Sequence, residues 1–572
     1  MVARSLLSYS LSNLNGTLKN SSSDSALIDA SSLIRYVHKA KVQDLYLTDN
    51  AKLRDSFVQV FKNLNKKFKK IHLFIETPSK DFVLPSLQHR EQKKLKGTQN
   101  LRKLPNNETH RIASPFCPLI LVDIARELDF IVIERVEATD VDLAIVQKGR
   151  KVNGIIISSD AEFLLYHKWL VGYVPITSVD LFDEPKDEWP LWTSDELAKS
   201  FNVPVSNLPL LACFYGCYHF EPQHEKFAKR TMTFKEASAA LSEPVPKDNE
   251  DMIGAFTRIA VASGLFYEDR MSEAASKFAS AVSKYQNESS TEDLKFDDEF
   301  KSKCEIALYD PNVVSIIGSG IMVCSTLVAD LNQATCWLSS RNVRNHIYNI
   351  LSSVIGPLES VKELIRFYEE FHFEDVSLNN YLNYEELKEL SVEDRREKLA
   401  SLLGLKFEYQ DISELAIMAL QKGKYLSKGQ VVALYFSTLG KSIDIAVEQK
   451  ETVEGFDVVE SKAPSFLVDK TYHTFAEFVA MFYSVTLLAL LLIPEDHQKI
   501  LKSFMKLNGL GFIKYLGYIE KNGFPEEIPE RLSLLLNLCV VDPSVLKANK
   551  KNKKNKNAKV TNMFDLLALD DE

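Results

Sequence analysis

The stretch EATDVDLAIVQKGRKVNGIIISSDAEFLLY, residues 137–166, decides the fold that this sequence predicts. It joins a helix-like segment, DLAIVQKGR at 142–150, to GIIISSD at 154–160, an apolar run with the composition of a buried strand. Five acidic residues fall in two clusters at the ends of this unit. A helix that runs into a buried strand indicates one step of a parallel α/β sheet.

Further segments extend this alternation over the first 185 residues. Short runs rich in β-formers and apolar residues are separated by runs with helical spacing. The strand-like runs are ALI within 26–34, LYLTD at 45–49, IHLFIE at 71–76, FIVIERV at 130–136 and GYVPI at 172–176, and PLILVDIARELDF at 118–130 is helix-like. Strands that alternate with helices predict an α/β domain built on a parallel, twisted, doubly wound sheet.

The texture of the sequence changes after this domain. TSDELAKSF carries a capping-box pattern between Thr193 and Glu196, and helical spacing dominates from about residue 235 to residue 545. These residues predict a mainly α-helical C-terminal region, a helical domain at 235–545. The apolar run FVAMFYSVTLLALLLI at 478–493 is shorter than the roughly 20 residues of a membrane-spanning helix. It therefore predicts a buried core helix and no membrane.

The last residues, 546–572, have a biased composition. KANKKNKKNKNAK at 547–559 predicts a disordered, lysine-rich tail that suits non-specific nucleic-acid affinity or a nuclear address. VTNMFDLLALDDE at 560–572 is a short apolar motif in an acidic frame. This motif predicts either a docking segment for the groove of a protein partner or an inert terminus.

Composition narrows the class of protein further. The 572 residues exceed one compact core, so two or three domains are expected. The net charge of -9 excludes a chain that is basic throughout, although local basic patches remain compatible with nucleic acid. The seven cysteines form no disulfide framework, and the N-terminus lacks the features of a signal peptide. We expect an intracellular protein, in the nucleus or cytoplasm, with the nucleus slightly favoured.

Acidic residues follow four of the predicted strands. In an open parallel sheet the carboxyl ends of the strands lie at one edge, where ligands bind. The acids at these positions are Asp29, Glu76, Asp140, Asp142, Asp160 and Glu162. Carboxylates this close together would repel one another unless cations offset the charge, and Mg²⁺, or Mn²⁺ in its place, prefers oxygen ligands. Two such ions suit a phosphodiesterase.

A structural interpretation of the same acids stays open. Asp and Ser at strand ends commonly form turns and N-caps, so any one of these residues alone is explained without a metal. The functional hypothesis depends on the combination of acids across four strand ends.

The segments LIDASSLI, FIET, EATDVDLA and SSDAEFLLY resemble, in this order and spacing, the flap-endonuclease/XPG nuclease superfamily. The run SSDAEFLLYHKWLVGYVPI is most similar to its asteroid branch, and the resemblance covers roughly residues 1–220. It implies a PIN-like α/β domain and two-metal cleavage of DNA or RNA phosphodiesters, with a connection to DNA repair.

The resemblance also implies roles for individual residues. It makes catalytic metal ligands of Asp29, Glu76, Asp140, Asp142, Asp160 and Glu162, with Glu137 as an alternative member of the second pair. Two positions depart from the family pattern. Val2 stands where the family has glycine, and Cys217 and Tyr218 stand where it has a last aspartate.

The polar stretch HREQKKLKGTQNLRKLPNNETHR at 89–111 predicts a long basic loop. The resemblance implies that this loop forms an arch over the active site, through which single strands pass. Its cations would contact phosphates: Arg90, Lys93, Lys94, Lys96, Arg102 and Lys103. A second cluster at 66–70 fits a nucleic-acid contact and a solvated helix face equally well.

Two functions remain open. The first is an asteroid-like, metal-dependent, structure-selective nuclease, which the six acids favour. The second is a catalytically degenerate nucleic-acid-binding scaffold or post-transcriptional regulator, which Val2 and the missing last acid favour. In the second hypothesis the helical domain and residues 560–572 bind protein partners. A Rossmann-type cofactor enzyme is disfavoured because no Gly-x-Gly-x-x-Gly follows the first strand.

Overall fold

The structure is a computed structural model in which part of the chain is described. The described residues are 6, 9–10, 14, 17–18, 23–41, 49–75, 84–101, 113–135, 141–186, 188–217, 220, 226–230, 232–242, 249–286, 298–327, 329–356, 358–378, 382–406, 408–423, 426–439, 470–522 and 529–538. The predicted strand at 45–49 lies outside them except for Asp49, and the tail at 546–572 lies outside them entirely.

Strands and helices alternate in the first part of the chain and helices dominate the second. The strands are β1 Thr17–Leu18, β2 Ser25–Asp29, β3 Lys70–Ile75, β4 Ile131–Arg135, β5 Ile155–Ser158, β6 Tyr173–Pro175, β7 Trp189–Pro190, β8 Ile321–Val323, β9 Ser360–Phe367 and β10 Glu370–Ser377. The α-helices of the first part are α1 Ala30–Lys41, α2 Asn50–Asn65, α3 Leu84–Leu101, α4 Cys117–Glu127, α5 Val141–Val152, α6 Ser194–Phe201 and α7 Leu208–Tyr215.

The helices of the second part run from residue 234 to residue 538. They are α8 Phe234–Ala240, α9 Asn249–Ser263, α10 Met271–Gln286, α11 Asp298–Lys303, α12 Pro311–Ser319, α13 Arg341–Ile355, α14 Tyr384–Lys388, α15 Val392–Leu402, α16 Ile412–Gly423, α17 Lys428–Leu439, α18 Lys470–Leu492, α19 His497–Met505, α20 Gly509–Asn522 and α21 Glu530–Leu538.

The central sheet has five parallel strands in the order β4-β3-β2-β5-β6. The chain builds the sheet outward from β2 through β3 to β4, and then returns to the other side of β2 with β5. The order therefore reverses between β2 and β5, which makes this gap the topological switch point of the sheet. The predicted α/β domain with a parallel sheet is confirmed.

The strands are apolar because both faces of the sheet are covered. Leu27 and Ile28 of β2 and Ile157 of β5 have no exposed surface. Alternate residues of β2 belong to different clusters: Ile28 packs with helices α1, α2 and α4, whereas Leu27 packs with the region of α5 to α10. Burial on both faces explains why GIIISSD is a continuous apolar run without alternation.

The predicted capping box at the start of α6 is confirmed. The Thr193 hydroxyl accepts the backbone N–H of Glu196, and the Glu196 carboxylate accepts the N–H of Thr193 in return. These two bonds satisfy backbone donors that an uncapped helix would leave unpaired.

The C-terminal region is mainly helical, as predicted, but it also contains a sheet. Strands β8, β9 and β10 form a three-stranded sheet, in which β9 and β10 are an antiparallel hairpin. Helices dominate the described part of 235–545, as predicted, but the strands at residues 321–323 and within 360–377 were not predicted. Local spacing could not separate these short strands from helices because a few apolar residues satisfy either period.

Helix α18 lies at the centre of this region. The segment Tyr472–Leu492 is long and apolar enough to cross a membrane, but 94% of its apolar window is buried inside the protein. This burial confirms the prediction that the apolar run at 478–493 is a buried core helix.

The two parts of the chain share a hydrophobic core. Phe116, which precedes α4, stacks on Phe504 at a ring distance of 4.9 Å and meets Phe482 and Tyr483 edge-on. The helical region is consequently packed against the α/β sheet through aromatic side chains.

The basic stretch at 89–111 begins as a helix. Residues 89–101 belong to α3, so the prediction of a loop was wrong for them, and residues 102–111 lie outside the described chain. One face of α3 is apolar at Leu87 and Leu95, two turns apart, and packs against the small sheet. Tertiary packing of this face stabilises a helix that the polar composition of the segment did not predict.

Candidate functional site

The topological switch point brings Asp29 and Asp160 to one edge of the sheet. Asp29 ends β2, and Asp160 comes two residues after β5, its parallel neighbour. The hydroxyl of Ser158, the last residue of β5, lies 3.3 Å from Oδ2 of Asp29. Two acids that are 131 positions apart in the sequence are thus neighbours in the fold.

Asp29 is held by the first turn of α1. Its Oδ1 accepts the backbone N–H of Ser31 at 2.9 Å, and its Oδ2 accepts the Ser32 hydroxyl at 2.6 Å. The N–H of Ser32 also points at Oδ2, at 3.2 Å. These bonds fix the carboxylate at the N-terminus of the helix, where negative charge is stabilised.

Serine hydroxyls tie α1 to the end of β5. Ser32 Oγ lies 3.0 Å from Ser158 Oγ and 2.8 Å from Ser159 Oγ, and it accepts the backbone N–H of Ser159 at 3.1 Å. Ser32 and Ser158 are buried. The hydroxyl network sets the separation of the two strand ends and, with it, the position of both acids.

Arg35, one turn further along α1, closes this network from the solvent side. Its Nη2 donates to the hydroxyls of Ser32 and Ser159 at 3.1 and 3.2 Å and approaches that of Ser31 at 3.4 Å. Arg35 is exposed. A guanidinium group has five N–H donors, so an arginine anchored through one nitrogen still presents donors to an anion.

Asp160 caps the short 3₁₀ helix Ala161–Leu165. Its Oδ1 accepts the N–H of Glu162 at 2.9 Å, whereas its Oδ2 accepts no hydrogen bond from the described residues. Burial raises the pKa of Asp160, and the negative charge of Asp29 raises it further. The N–H of Glu162 and the positive charges of Arg35 and Arg90 oppose this shift and lower the pKa.

Glu162 lies in a different environment from Asp160. It is 5% exposed, and its Oε2 accepts the Tyr285 hydroxyl of helix α10 at 2.9 Å. Cys213 and Cys217 lie nearby with their sulfur atoms 3.5 Å apart, and burial raises the pKa of Cys213 well above its usual range. The Glu162 carboxylate therefore takes part in the packing between the α/β sheet and α10.

The remaining predicted acids are only partly described. Asp142 lies in the first turn of α5, at the carboxyl edge of the sheet, and is partly buried. Glu76, Asp140 and the alternative Glu137 lie outside the described residues. Within the described ranges no group of three or more His, Cys, Asp or Glu side chains is arranged to hold a metal ion.

Among the described basic residues of α3, Arg90 acts on the acidic site. Arg90 is close enough to Asp160 to lower its pKa. Lys93 and Lys96 are exposed, and Lys94 forms an ion pair with the buried Glu91 at 2.5 Å. The other two predicted contacts, Arg102 and Lys103, lie outside the described residues.

The second basic cluster contacts neighbouring loops. Lys66 pairs with Glu184 at 2.7 Å, and Lys69 pairs with Asp24 at 3.0 Å. The ammonium groups of Lys67 and Lys70 donate to backbone carbonyls. These contacts fit a solvated surface, and exposed pairs of this kind contribute little to stability.

The sequence-based prediction missed Arg35 and the serine network. A signal was present: Ser31, Ser32 and Arg35 follow Asp29 at helical spacings that place them on one face of α1. The partners on β5 could not be read locally, because they depend on which strand pairs with β2.

The resemblance to the nuclease superfamily rests on the sequence motifs alone, without support from the comparison with known proteins. No protein-family model matches this chain, and no curated protein matches it.

Proposed function

We propose that this chain is an asteroid-like, divalent-metal-dependent nuclease that hydrolyses phosphodiesters of DNA or RNA. The observation that carries the proposal is the meeting of Asp29 and Asp160 at the topological switch point, the place where parallel sheets bind ligands. A PIN-like fold agrees with the five-stranded parallel sheet and its strand order.

The chemistry of the two acids fits a cation. Asp160 sits beside a second carboxylate that disfavours its charged form, and its Oδ2 receives no donor from the described residues. Mg²⁺ or Mn²⁺ is commonly held by one or two carboxylates and the phosphate of the substrate. Asp29 and Asp160 would hold such an ion, with Asp142, Glu76 and Asp140 as further candidates from the sequence. When bound, the ion would activate water and stabilise charge on the phosphate.

The chain supplies the rest of the site through its own side chains. The serine network holds Asp29 and the end of β5 at a fixed separation. Arg35 and Arg90 provide positive charge near Asp160 and would bind the phosphate of a nucleic-acid strand.

A second candidate function is a nucleic-acid-binding scaffold without turnover. The observation that favours it is the hydrogen bond from Tyr285 to Glu162, which engages one predicted metal ligand in the protein interior. Val2 and Cys217, at positions where the nuclease family has glycine and aspartate, favour it as well. Under this hypothesis the α/β domain binds the strand, and the helical region and residues 560–572 bind protein partners.

The experiment that separates the two uses the full chain. Labelled flap, overhang and single-stranded DNA and RNA are incubated with Mg²⁺ or Mn²⁺, and binding is measured in parallel. The variant is Asp160→Asn, and the matched control is Asp195→Asn, an exposed acid in the first turn of α6.

The nuclease proposal predicts cleavage by the wild type and by Asp195→Asn. The cleavage rate of Asp160→Asn should fall by more than about 10- to 100-fold, the loss that follows removal of an outer-shell partner of a metal ligand. The variant should still bind the strand. Binding without cleavage of any of these substrates would reject the nuclease and support the scaffold function. Absence of both binding and cleavage would refute both functions.

A further inference from the structure

The hairpin of β9 and β10 presents two aromatic rings at its tip. The strands pair antiparallel along their whole length, and Phe367 lies opposite Glu370 across the two-residue turn of Tyr368 and Glu369. Phe367 is 48% exposed and Tyr368 is 49% exposed, with their ring centroids 4.8 Å apart. Both residues thus keep about half of their surface exposed, although the ring of Phe367 also meets that of His372 edge-on.

Tyr368 occupies a backbone position that suits glycine. Its φ is +51°, in the left-handed region that hairpin turns commonly fill with Gly, Asn or Asp. A bulky aromatic side chain in this region is strained. Strain that is retained at one exposed residue is a reason to look for a function of its side chain.

The backbone of the tip is held rigidly. The buried guanidinium of Arg366 donates from Nη1 to the carbonyl of Tyr368 at 2.6 Å and from Nη2 to that of Asp330 at 3.4 Å. The ring of Tyr368 is therefore presented to solvent from a fixed backbone, which lowers the entropy lost when a ligand stacks on it.

The tip lies beside helix α3. Gln92 of α3 donates from Nε2 to the carbonyl of Glu369 at 2.7 Å, and its Oε1 accepts the N–H of Phe371 at 3.0 Å. Gln88 donates to the carbonyl of Phe371 at 2.5 Å. The two glutamines cover the free edge of β10, so the helix is fixed at a set distance from the turn.

This contact brings the aromatic tip near the cations of α3. Gln92, which contacts the turn, is next to the exposed Lys93, and the exposed Lys96 lies about one helical turn further along the helix. Arg90 is also the residue of α3 that acts on Asp160. Helix α3 therefore connects the acidic site with the tip of the hairpin.

We propose that Tyr368, with Phe367 beside it, is a base-stacking platform for a single-stranded nucleic acid whose phosphates lie along Lys93 and Lys96. The proposal rests on the proposed nucleic-acid function, but it needs binding only and not cleavage. A basic surface beside exposed aromatic rings is the usual arrangement for single strands, because every base has a face on which a ring can stack.

The tip of the hairpin and helix α3 differ in charge. Glu369 and Glu370 make the turn itself acidic, and Glu370 lies 3.6 Å from His372. The tip therefore attracts a strand by stacking, and α3 attracts it by charge. A protein partner is disfavoured because a stable protein interface covers about 800 Å² on each side, far more than two rings.

The test measures the affinity of the full chain for labelled oligothymidine by fluorescence anisotropy in EDTA, where metal-dependent cleavage does not occur. The principal variant is Tyr368→Gly, which removes the ring and relieves the strain of the positive φ. Its thermal unfolding temperature should equal or exceed that of the wild type. Its affinity should fall about 5- to 100-fold, the effect of losing one stacked base. Tyr368→Asn, which also tolerates this φ, should behave alike.

Two controls make the result specific. Tyr368→Phe keeps the ring and should bind as the wild type does, and Tyr267→Ala removes another exposed tyrosine, 41% exposed, that lies outside the hairpin. An oligonucleotide with abasic sites offers no base to stack. The wild type should bind it more weakly than oligothymidine, and the difference between the two strands should be smaller for Tyr368→Gly, which keeps only the ring of Phe367.

The outcomes are distinguishable from those of the cleavage assay. Wild-type affinity in Tyr368→Gly, equal binding of normal and abasic strands by the wild type, or no binding by the wild type would each overturn the platform. Binding that depends on Tyr368 in a protein that cleaves nothing would support the platform and reject the nuclease.

Discussion

The Tyr285 hydroxyl donates a 2.9 Å hydrogen bond to Oε2 of Glu162 and so links helix α10 to the turn that follows strand β5. Glu162 is buried in this arrangement, whereas its neighbour Asp160 lies at the open edge beside Asp29. These two acids, two residues apart, consequently differ in role: Asp160 belongs to the candidate site, and Glu162 belongs to the packing of the helical region.

We expect Tyr285→Phe to lower the free energy of unfolding by about 1–3 kcal/mol, because it removes the donor from a buried carboxylate. Glu162→Gln keeps an acceptor for Tyr285 and should cost less. Urea unfolding followed by circular dichroism measures both. Equal stabilities of wild type and Tyr285→Phe would show that the hydrogen bond contributes nothing.

We expect Arg35→Ala to weaken nucleic-acid binding by the loss of one phosphate contact. The slope of log K against log salt concentration should become shallower by about 0.7 for a single strand. Arg150→Ala, an exposed arginine in the last turn of α5 at the opposite edge of the sheet, is the matched control. Anisotropy titrations at several salt concentrations give the slopes, and identical slopes for Arg35→Ala and wild type would remove Arg35 from the binding surface.

We expect Arg344→Met to lower the free energy of unfolding by about 3–5 kcal/mol, because it leaves the buried Glu363 without its main partner. Both side chains are fully buried and joined by two bonds of 2.8 and 2.9 Å. Lys362→Ala breaks the exposed pair with Asp375 and should cost less than about 1 kcal/mol. Chemical denaturation compares the two, and similar losses would contradict the role of burial.

We expect the stability contribution of Asp310 to fall as the pH rises. Burial raises the pKa of Asp310 to about 6, and hydrogen bonds from Tyr483 and the N–H groups of Asn312 and Val313 oppose the shift. Because the folded pKa exceeds the unfolded one, the folded state holds the proton more tightly, and stability decreases between about pH 4 and pH 6.

Asp310→Asn does not titrate and reveals this effect. The stability of the wild type relative to Asp310→Asn should decrease by on the order of 3 kcal/mol between pH 4 and pH 7. Thermal or urea unfolding at several pH values measures the difference. A difference that does not change with pH would show that Asp310 titrates normally.

Much of the fold could be predicted from local patterns. Each strand of the central sheet overlaps one of the short strand-like runs ALI, IHLFIE, FIVIERV, GIIISSD and GYVPI in the sequence. The capping box at Thr193 and the buried helix at 478–493 were also predictable from the sequence, since their patterns depend only on neighbouring residues. The hairpin of β9 and β10 was missed because its alternation is brief and its charged residues obscure it.

The candidate site was predictable only in part. Acids at strand ends pointed to Asp29 and Asp160, whose meeting follows from parallel pairing of β2 with β5. The environment of Glu162 did not follow, because it depends on Tyr285, 123 residues away. Arg35 was overlooked because its anchoring partner, Ser159, lies on another element.

By itself the sequence determined the kind of most elements of the α/β domain and the edge of the sheet at which their polar residues gather, since hydrophobic period and strand polarity are local properties. The tertiary structure decided which carboxylate stays at the edge of the sheet, which is buried, and which basic residue of α3 approaches Asp160. These outcomes depend on contacts between residues far apart in the chain, such as Gln92 with Glu369, and their free energy exists only once the chain has folded.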